Sequence, residues 1–308
     1  MKIYIILISN VSISCMDTLH THIIGFPHYA SSKSNNNNEK KKQEIEAEPD
    51  PSIYKPLYQM SNKYLENGYG VLYAAESLPN ERDKAKVTES IQNASNTDDV
   101  ENNISKGLLR VIDSETVYKD NTGGRDIVDF LLSKVSQMQR NLRQEKTKGV
   151  VIFNAPDPYF GRSKYDTFMD FEVEMTRALP NNVGILCWYK RDWLNKLSLS
   201  HVITVLADHK YTIHSDWEHK QWNTNKIIDV VSKGIDKNLG EGSSILLFQT
   251  LKSAYKLNQD SIVQSAARFE ETIKKLLGKD DAESVIKSIF GEIIKEVEFS
   301  LNGNSSNE

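Results

Sequence analysis

The chain of 308 residues carries 38 Lys+Arg against 42 Asp+Glu, a formal net charge of −4, with 39 % hydrophobic residues and two cysteines. That length predicts about two domains. No apolar run reaches the ~20 residues of a membrane-spanning helix, two cysteines build neither a disulfide scaffold nor a four-cysteine zinc site, and the mixed charge leaves no broad footprint for nucleic acid or an anionic membrane; a protein of a reducing, cytoplasmic compartment is expected.

The first segment, KIYIILISNVSISC (2–15), starts like a signal peptide. A single Lys precedes the apolar run, Asn10 and three serines interrupt it, and no clean small-x-small cleavage site follows. A buried first strand or a leader is expected, with export and a start at Met16 as the alternatives. HIIGFP (22–27) reads as a short strand within a leader-and-first-strand unit ending near residue 30. Residues 31–52 (SSKSNNNNEKKKQEIEAEPDPS) are too poor in apolar groups to offset their ordering entropy and are predicted to be a disordered polar insert.

From there to about 218, apolar runs alternate with helical periodicity. Helices are predicted over 53–67 (stopped by Gly68), 80–94, 124–145, 164–179 and 191–208, and strands at YGVLYAAE (69–76), GLLRVIDS (107–114), GVVIFNAP (149–156), VGILCWY (183–189) and YTIHS (211–215). The strands are continuous apolar runs, as parallel strands buried on both faces are. The alternation predicts right-handed crossovers and a three-layer α/β sandwich. Ligands of such sheets bind beyond the carboxyl ends of the strands, which singles out Glu76–Asn80, Asn154–Gly161 and Tyr189–Asp192, and within them Asn154 and Asp157.

Several chemistries are missing from the sequence. There is no GxxxxGK[ST], no GxGxxG after a strand, and no HExxH, CxxC or GxSxG. Gly123-Gly124 reads as a turn. His20 and His22 read as a chance pair at a strand start, so no metal is assigned and the cofactor stays open. Cys187, inside an apolar strand, reads as a small buried hydrophobe.

After about 222 only helical patterns remain: 226–239, 243–255, 260–277 and 281–301, a four-helix bundle over 223–302 followed by a disordered tail at 303–308. This region holds eleven Lys/Arg against twelve Asp/Glu, so a protein partner or self-association is expected of it and a nucleic acid is not.

Segments of the first region resemble, in order, the MEDS domain, the sensory domain of methanogen and methylotroph proteins and of the dichloromethane-responsive regulator. HIIGFPHYASS matches its opening segment through His22 and Tyr29. YLENGYGVLYAAES matches its helix–glycine–strand signature, and FMDFEVEMTRALP its aromatic–Glu helix through Phe171 and Glu172. ILCWYKRDW…VLADHKYTI matches its Cys-x-Tyr strand and following His through Cys187, Tyr189 and His209. The resemblance spans about 20–216 outside the insert. It departs from the family at that insert, at Trp188 and at Lys210. It implies a RecA/KaiC-like fold without a phosphate loop, and a ligand pocket containing His22, Tyr29, Glu172, Cys187, Tyr189 and His209. The C-terminal stretch resembles an output domain of ammonia-oxidising archaea through Leu239-Gly240, Phe269, Leu277-Gly278 and Ile286. A cytoplasmic sensor that binds a small molecule and relays its state through the helices is therefore expected, without catalysis. A divergent nucleotide-binding ATPase-like enzyme and a structural adaptor are the alternatives.

Overall fold

The computed structural model describes residues 22–25, 54–94, 98–118, 123–141, 147–155, 165–189, 197–209, 211–213 and 219–298. The leader, the polar insert and the C-terminal tail lie outside them. Seven strands form one sheet: β1 (His22–Gly25), β2 (Gly70–Ala74), β3 (Leu109–Val111), β4 (Val150–Asn154), β5 (Val183–Trp188), β6 (Tyr211–Ile213) and β7 (His219–Gln221). Their order is β3-β2-β4-β5-β1-β6-β7. Every neighbouring pair runs parallel except β6 and β7. Every residue of β2, β4 and β5 is buried, as continuous apolar runs require.

Helices cover both faces. α1 (Lys55–Glu66), α2 (Glu81–Asn93) and α3 (Asp99–Ser105) pack together, and α4 (Ser114–Tyr118), α5 (Gly124–Asn141), α6 (Tyr165–Ala178) and α7 (Leu199–Asp208) form a second connected layer. Right-handed crossovers explain the division, because connections moving one way along the sheet lie on one face and those moving the other way lie on the opposite face. Local chemistry sets the boundaries. Asn80 caps α2 by accepting the Asp83 amide at 3.0 Å, and Ser198 caps α7 by accepting the His201 amide at 3.2 Å. Gly68, at φ 79°, ends α1: its amide donates to Leu65 O and the Tyr69 amide to Tyr64 O, both at 3.0 Å. This is the paired pattern of a Schellman turn. Helix α7 is shorter than the sequence suggests, starting after the Ser198 cap; 191–196 lie outside the described residues.

Past β7 the described chain is helical: α8 (Thr224–Leu239), α9 (Ser243–Tyr255), α10 (Gln259–Gln264), α11 (Ala266–Leu277) and α12 (Lys279–Glu298). The single helix expected over 260–277 is two. Ser265 leaves helical geometry at φ −137° and ψ 51°, ending α10 and starting α11, although the apolar spacing continues across it. The helical region packs on α7 through α8, α10 and α11, and one contiguous cluster of buried apolar residues runs from Tyr54 to Ile293.

Two glycines mark close helix crossings. A Cβ on Gly124 would lie 2.3 Å from the Phe171 backbone nitrogen, and one on Gly234 would lie 2.4 Å from the Ile289 Cα. The first seats the start of α5 on α6, so Gly124 serves packing in addition to the turn expected there. The second lets α8 and α12 meet. Gly234→Ala is expected to lower stability by about 1–3 kcal/mol through overpacking. Gly291→Ala, in α12 with open space around its Cβ position, is expected to hold or raise stability by up to about 1 kcal/mol. Urea unfolding of the two variants measures the contrast.

Candidate functional site

Five of the eight residues singled out in the sequence meet at one point in the sheet. Asn154 ends β4, and the β4–β5 register sets it beside Cys187. Alternation puts both side chains on one face of the sheet, where α6 lies: the Cys187 Sγ–H donates to Glu172 Oε2 at 3.9 Å. Along α6, Phe168, Phe171, Glu172 and Met175 recur at three and four and are all buried, so Glu172 occupies a position on the core stripe. Tyr189 follows β5, its ring edge-on to Phe168 with centroids 5.8 Å apart and to His209 at 6.0 Å. His209 closes α7. Its Nε2 stands 3.4 Å from Glu172 Oε2, and its Nδ1 is 2.6 Å from the Val205 carbonyl. Asn154, Glu172, Cys187 and His209 have no exposed surface, and neither does Tyr189.

Three of the eight residues remain. His22 opens β1, its backbone in register with Ile185. Tyr29 and Asp157 lie outside the described residues.

Burial sets the protonation of the cluster. It pushes the Glu172 carboxyl up to about 8, with Asp208 adding to the effect and hydrogen bonds from Tyr189 and Cys187 opposing it. It pushes His209 down to about 3, against the bond to Val205. Burial, reinforced by Glu172, holds the Cys187 thiol and the Tyr189 phenol well above their ordinary values. Glu172 and His209 are therefore in contact as two neutral groups near pH 7 and do not form an ion pair. A carbonyl only accepts, so the His209 Nδ1 carries the proton and the Nε2 lone pair faces Glu172.

Sequence reasoning missed Tyr118. Its hydroxyl donates to Asn154 Oδ1, which turns the Asn154 amide nitrogen toward Cys187 Sγ, 3.9 Å away. No local pattern in Ser114–Tyr118 signals this, because the partner is 36 residues distant. The Glu76 segment holds a second polar group on the other face of the sheet: Tyr58 (at 2.8 Å) and Tyr73 both donate to Glu76 Oε1. The Glu76 carbonyl also accepts the Ser114 amide at 2.8 Å. These contacts pin the end of β2. The sequence assigned no metal, but Glu172, Cys187 and His209 each present one ligand-type atom, and the three atoms lie within 4.8 Å of one another. Among the described residues no helix is long and apolar enough to cross a membrane.

Compared with known families, residues 48–205 match the model described as MEDS, the MEthanogen/methylotroph, DcmR Sensory domain. The match covers just over half of the 308 residues. It takes in Tyr118, Asn154, Glu172, Cys187 and Tyr189 and ends at Val205, whose carbonyl receives the His209 ring N–H. No curated protein and no solved structure matches the chain.

The two shifted groups give a pH profile of definite shape. Glu172, raised from 4.5 to about 8, contributes stability that is present at low pH and lost as pH rises between those values. His209, lowered from 6.5 to about 3, contributes stability that is present above 6.5 and lost as pH falls toward 3. Each slope is at most about 1.4 kcal/mol per pH unit, and the two oppose each other between 4.5 and 6.5. With a chelator present, the stability of the native protein relative to Glu172→Gln, measured by urea unfolding, is expected to fall as pH rises from 6.5 to 8. A difference that stays constant over that range would refute a protonated Glu172.

Proposed function

The chain belongs to the family of the MEthanogen/methylotroph, DcmR Sensory domain, and on that footing we propose that it is a cytoplasmic sensor whose ligand is a small molecule received at the Asn154–Glu172–Cys187–Tyr189–His209 cluster. One observation carries this reading: five polar side chains from four separate parts of the chain converge, fully buried, on one point beside the last residues of β4 and β5. Gathering polar groups in a core costs stability unless they are paired, so a cluster of this size is better explained by recognition than by packing. Full enclosure favours a ligand of few heavy atoms and no net charge, since a charged one would shed its water beside a buried carboxyl.

The route outward is α7. His209 stands at its carboxyl end. At its amino end, the Ser200 amide donates to Glu270 Oε2 of α11 at 2.8 Å, and Lys274 holds the other carboxylate oxygen at 2.7 Å. Burial alone would raise the Glu270 carboxyl, but Lys274 and the Ser200 amide outweigh it and hold it below the usual carboxylate range. It is thus a charge at a helix amino terminus, where the dipole favours it. A ligand with unequal affinity for two positions of α7 shifts the population between them, and α8, α10 and α11, which pack on α7, register the shift. The helical region then presents the state to a protein partner or to a second copy.

Thermal unfolding across a panel of small uncharged metabolites tests the reading. A ligand at a hundred times its dissociation constant is expected to stabilise the protein by about 2.7 kcal/mol, and Tyr189→Phe should lose most of that gain. The same ligand should slow amide exchange in both Leu199–Asp208 and Ala266–Leu277, whereas in Glu270→Ala only the first segment should respond. A panel without a stabiliser overturns the reading.

A further inference from the structure

Glu172, Cys187 and His209 present three chemically different donors to one point, from α6, from β5 and from the end of α7. We propose that these three residues bind a divalent transition ion of the Zn2+ class through Glu172 Oε2, Cys187 Sγ and His209 Nε2, with the fourth position open to the molecule the domain senses. Only the last clause rests on the sensory reading above.

The spacing supports coordination better than hydrogen bonding. The 3.4 Å between His209 Nε2 and Glu172 Oε2 is long for a hydrogen bond, and Cys187 Sγ meets the same oxygen only through a weak S–H···O contact at 3.9 Å. A tetrahedral ion with bonds of about 2.0–2.3 Å holds its ligand atoms roughly 3.3–3.8 Å apart; the two distances to Glu172 Oε2 fall in or just beyond that range, and all three donor atoms lie within 4.8 Å of one another. A small inward movement of the three side chains would complete the shell.

The surroundings have the form that metal ligands need. A ligating histidine usually donates its second ring N–H to a carbonyl or carboxylate, which fixes the tautomer and aims the free lone pair; His209 does this through Nδ1 to Val205 O, 2.6 Å away. A ligating thiolate is stabilised by donors aimed at sulfur. Asn154 aims its amide nitrogen at Sγ from 3.9 Å, and Tyr118 fixes the orientation of that amide. The mixed sulfur, nitrogen and oxygen set suits Zn2+ and its neighbours and disfavours Mg2+ and Ca2+, which take oxygen.

Charge balance removes the usual objection to a buried ion. Without metal, the carboxyl, the thiol and the imidazole are all neutral. On binding M2+, Glu172 and Cys187 each release a proton to solvent, and a carboxylate, a thiolate and a dication sum to zero. The core passes from one neutral state to another, avoiding the large cost of an uncompensated buried charge. Three protein donors leave one vertex free, as in zinc sites that take up an exogenous molecule.

The test uses the full chain, stripped with a chelator and titrated with Co2+. The expected result is one equivalent bound, with tetrahedral d–d bands and a thiolate-to-cobalt charge-transfer band that Zn2+ abolishes by displacement. The chain has two cysteines, Cys15 and Cys187, so the band has two possible sources: it should vanish in Cys187→Ser and persist in Cys15→Ser. Glu172→Gln and His209→Gln should each weaken Co2+ at least ten-fold, with circular dichroism confirming that the variants fold. Folded native protein that gives no charge-transfer band overturns the proposal, whatever the variants do. So does a band that survives Cys187→Ser. The metabolite panel then separates the two readings. A compound that stabilises the stripped chain as strongly as the loaded one overturns the metal's part in sensing and leaves the sensor standing. A cobalt spectrum that no compound perturbs, in a chain no compound stabilises, supports the metal site and overturns the sensor.

Discussion

A strand buried on both faces has no solvent to satisfy a polar atom, so every such atom must find its partner inside the protein. Strands β4 and β5 lie under this constraint, and each carries a polar group near its carboxyl end: Asn154 on one and Cys187 on the other, side by side in register. A buried donor or acceptor left alone costs about 1–3 kcal/mol. The covering helices answer with polar groups of their own: Tyr118 from α4, Glu172 from α6 and His209 from the end of α7. The second layer is therefore positioned by chemistry as well as by apolar packing. Gly124, which allows α5 to touch the backbone at Phe171, brings that layer close enough at the residue just before Glu172.

Much of this architecture is legible in the sequence because burial leaves a periodic trace. VVIF in β4 and VGILCW in β5 are apolar without alternation, and that alone announces a parallel sheet between two helical layers. Gly68 marks the end of α1 by chemistry that depends on neighbouring residues only. Segments whose form depends on distant partners escape such a reading. Helices α3 and α4, DVENNIS and SETVY, are too short and polar to carry a period, and β7 is three residues, HKQ, that become a strand by pairing antiparallel with β6. The break at Ser265 escapes for the opposite reason: the apolar spacing runs through it as though the helix continued.

The cluster divides along the same line. Topology alone pointed to Asn154, because strand ends in such sheets are where ligands bind. Glu172, Cys187, Tyr189 and His209 came from the resemblance, since each, taken singly, fits a bland role on its own element. Tyr118 had no local signal, and a metal-type donor set could not be seen at all. Positions 172, 187 and 209 form no motif along the chain, and only the β4–α6–β5 and β5–α7 crossovers bring them within 4.8 Å. Helix α7 thereby acquires two attachments of different kinds: a ring nitrogen facing the cluster at one end, and a carboxylate of α11 holding the Ser200 amide at the other.

The apolar cluster that runs unbroken from Tyr54 to Ile293 bears on how such a protein could be assembled over time. The change from strand–helix alternation to helices near residue 222 looks like a joint where one module was spliced to another, yet Trp222, Val202, Ile227 and Phe269 belong to the same buried cluster. A cut at that joint would open the interior of both parts and leave the outer side of α7 bare. The C-terminal helices are thus not a bead on a string that could be traded between proteins at little cost. A replacement would have to arrive already shaped to α7, which ties the sequence of the helical region to that of the domain it packs against.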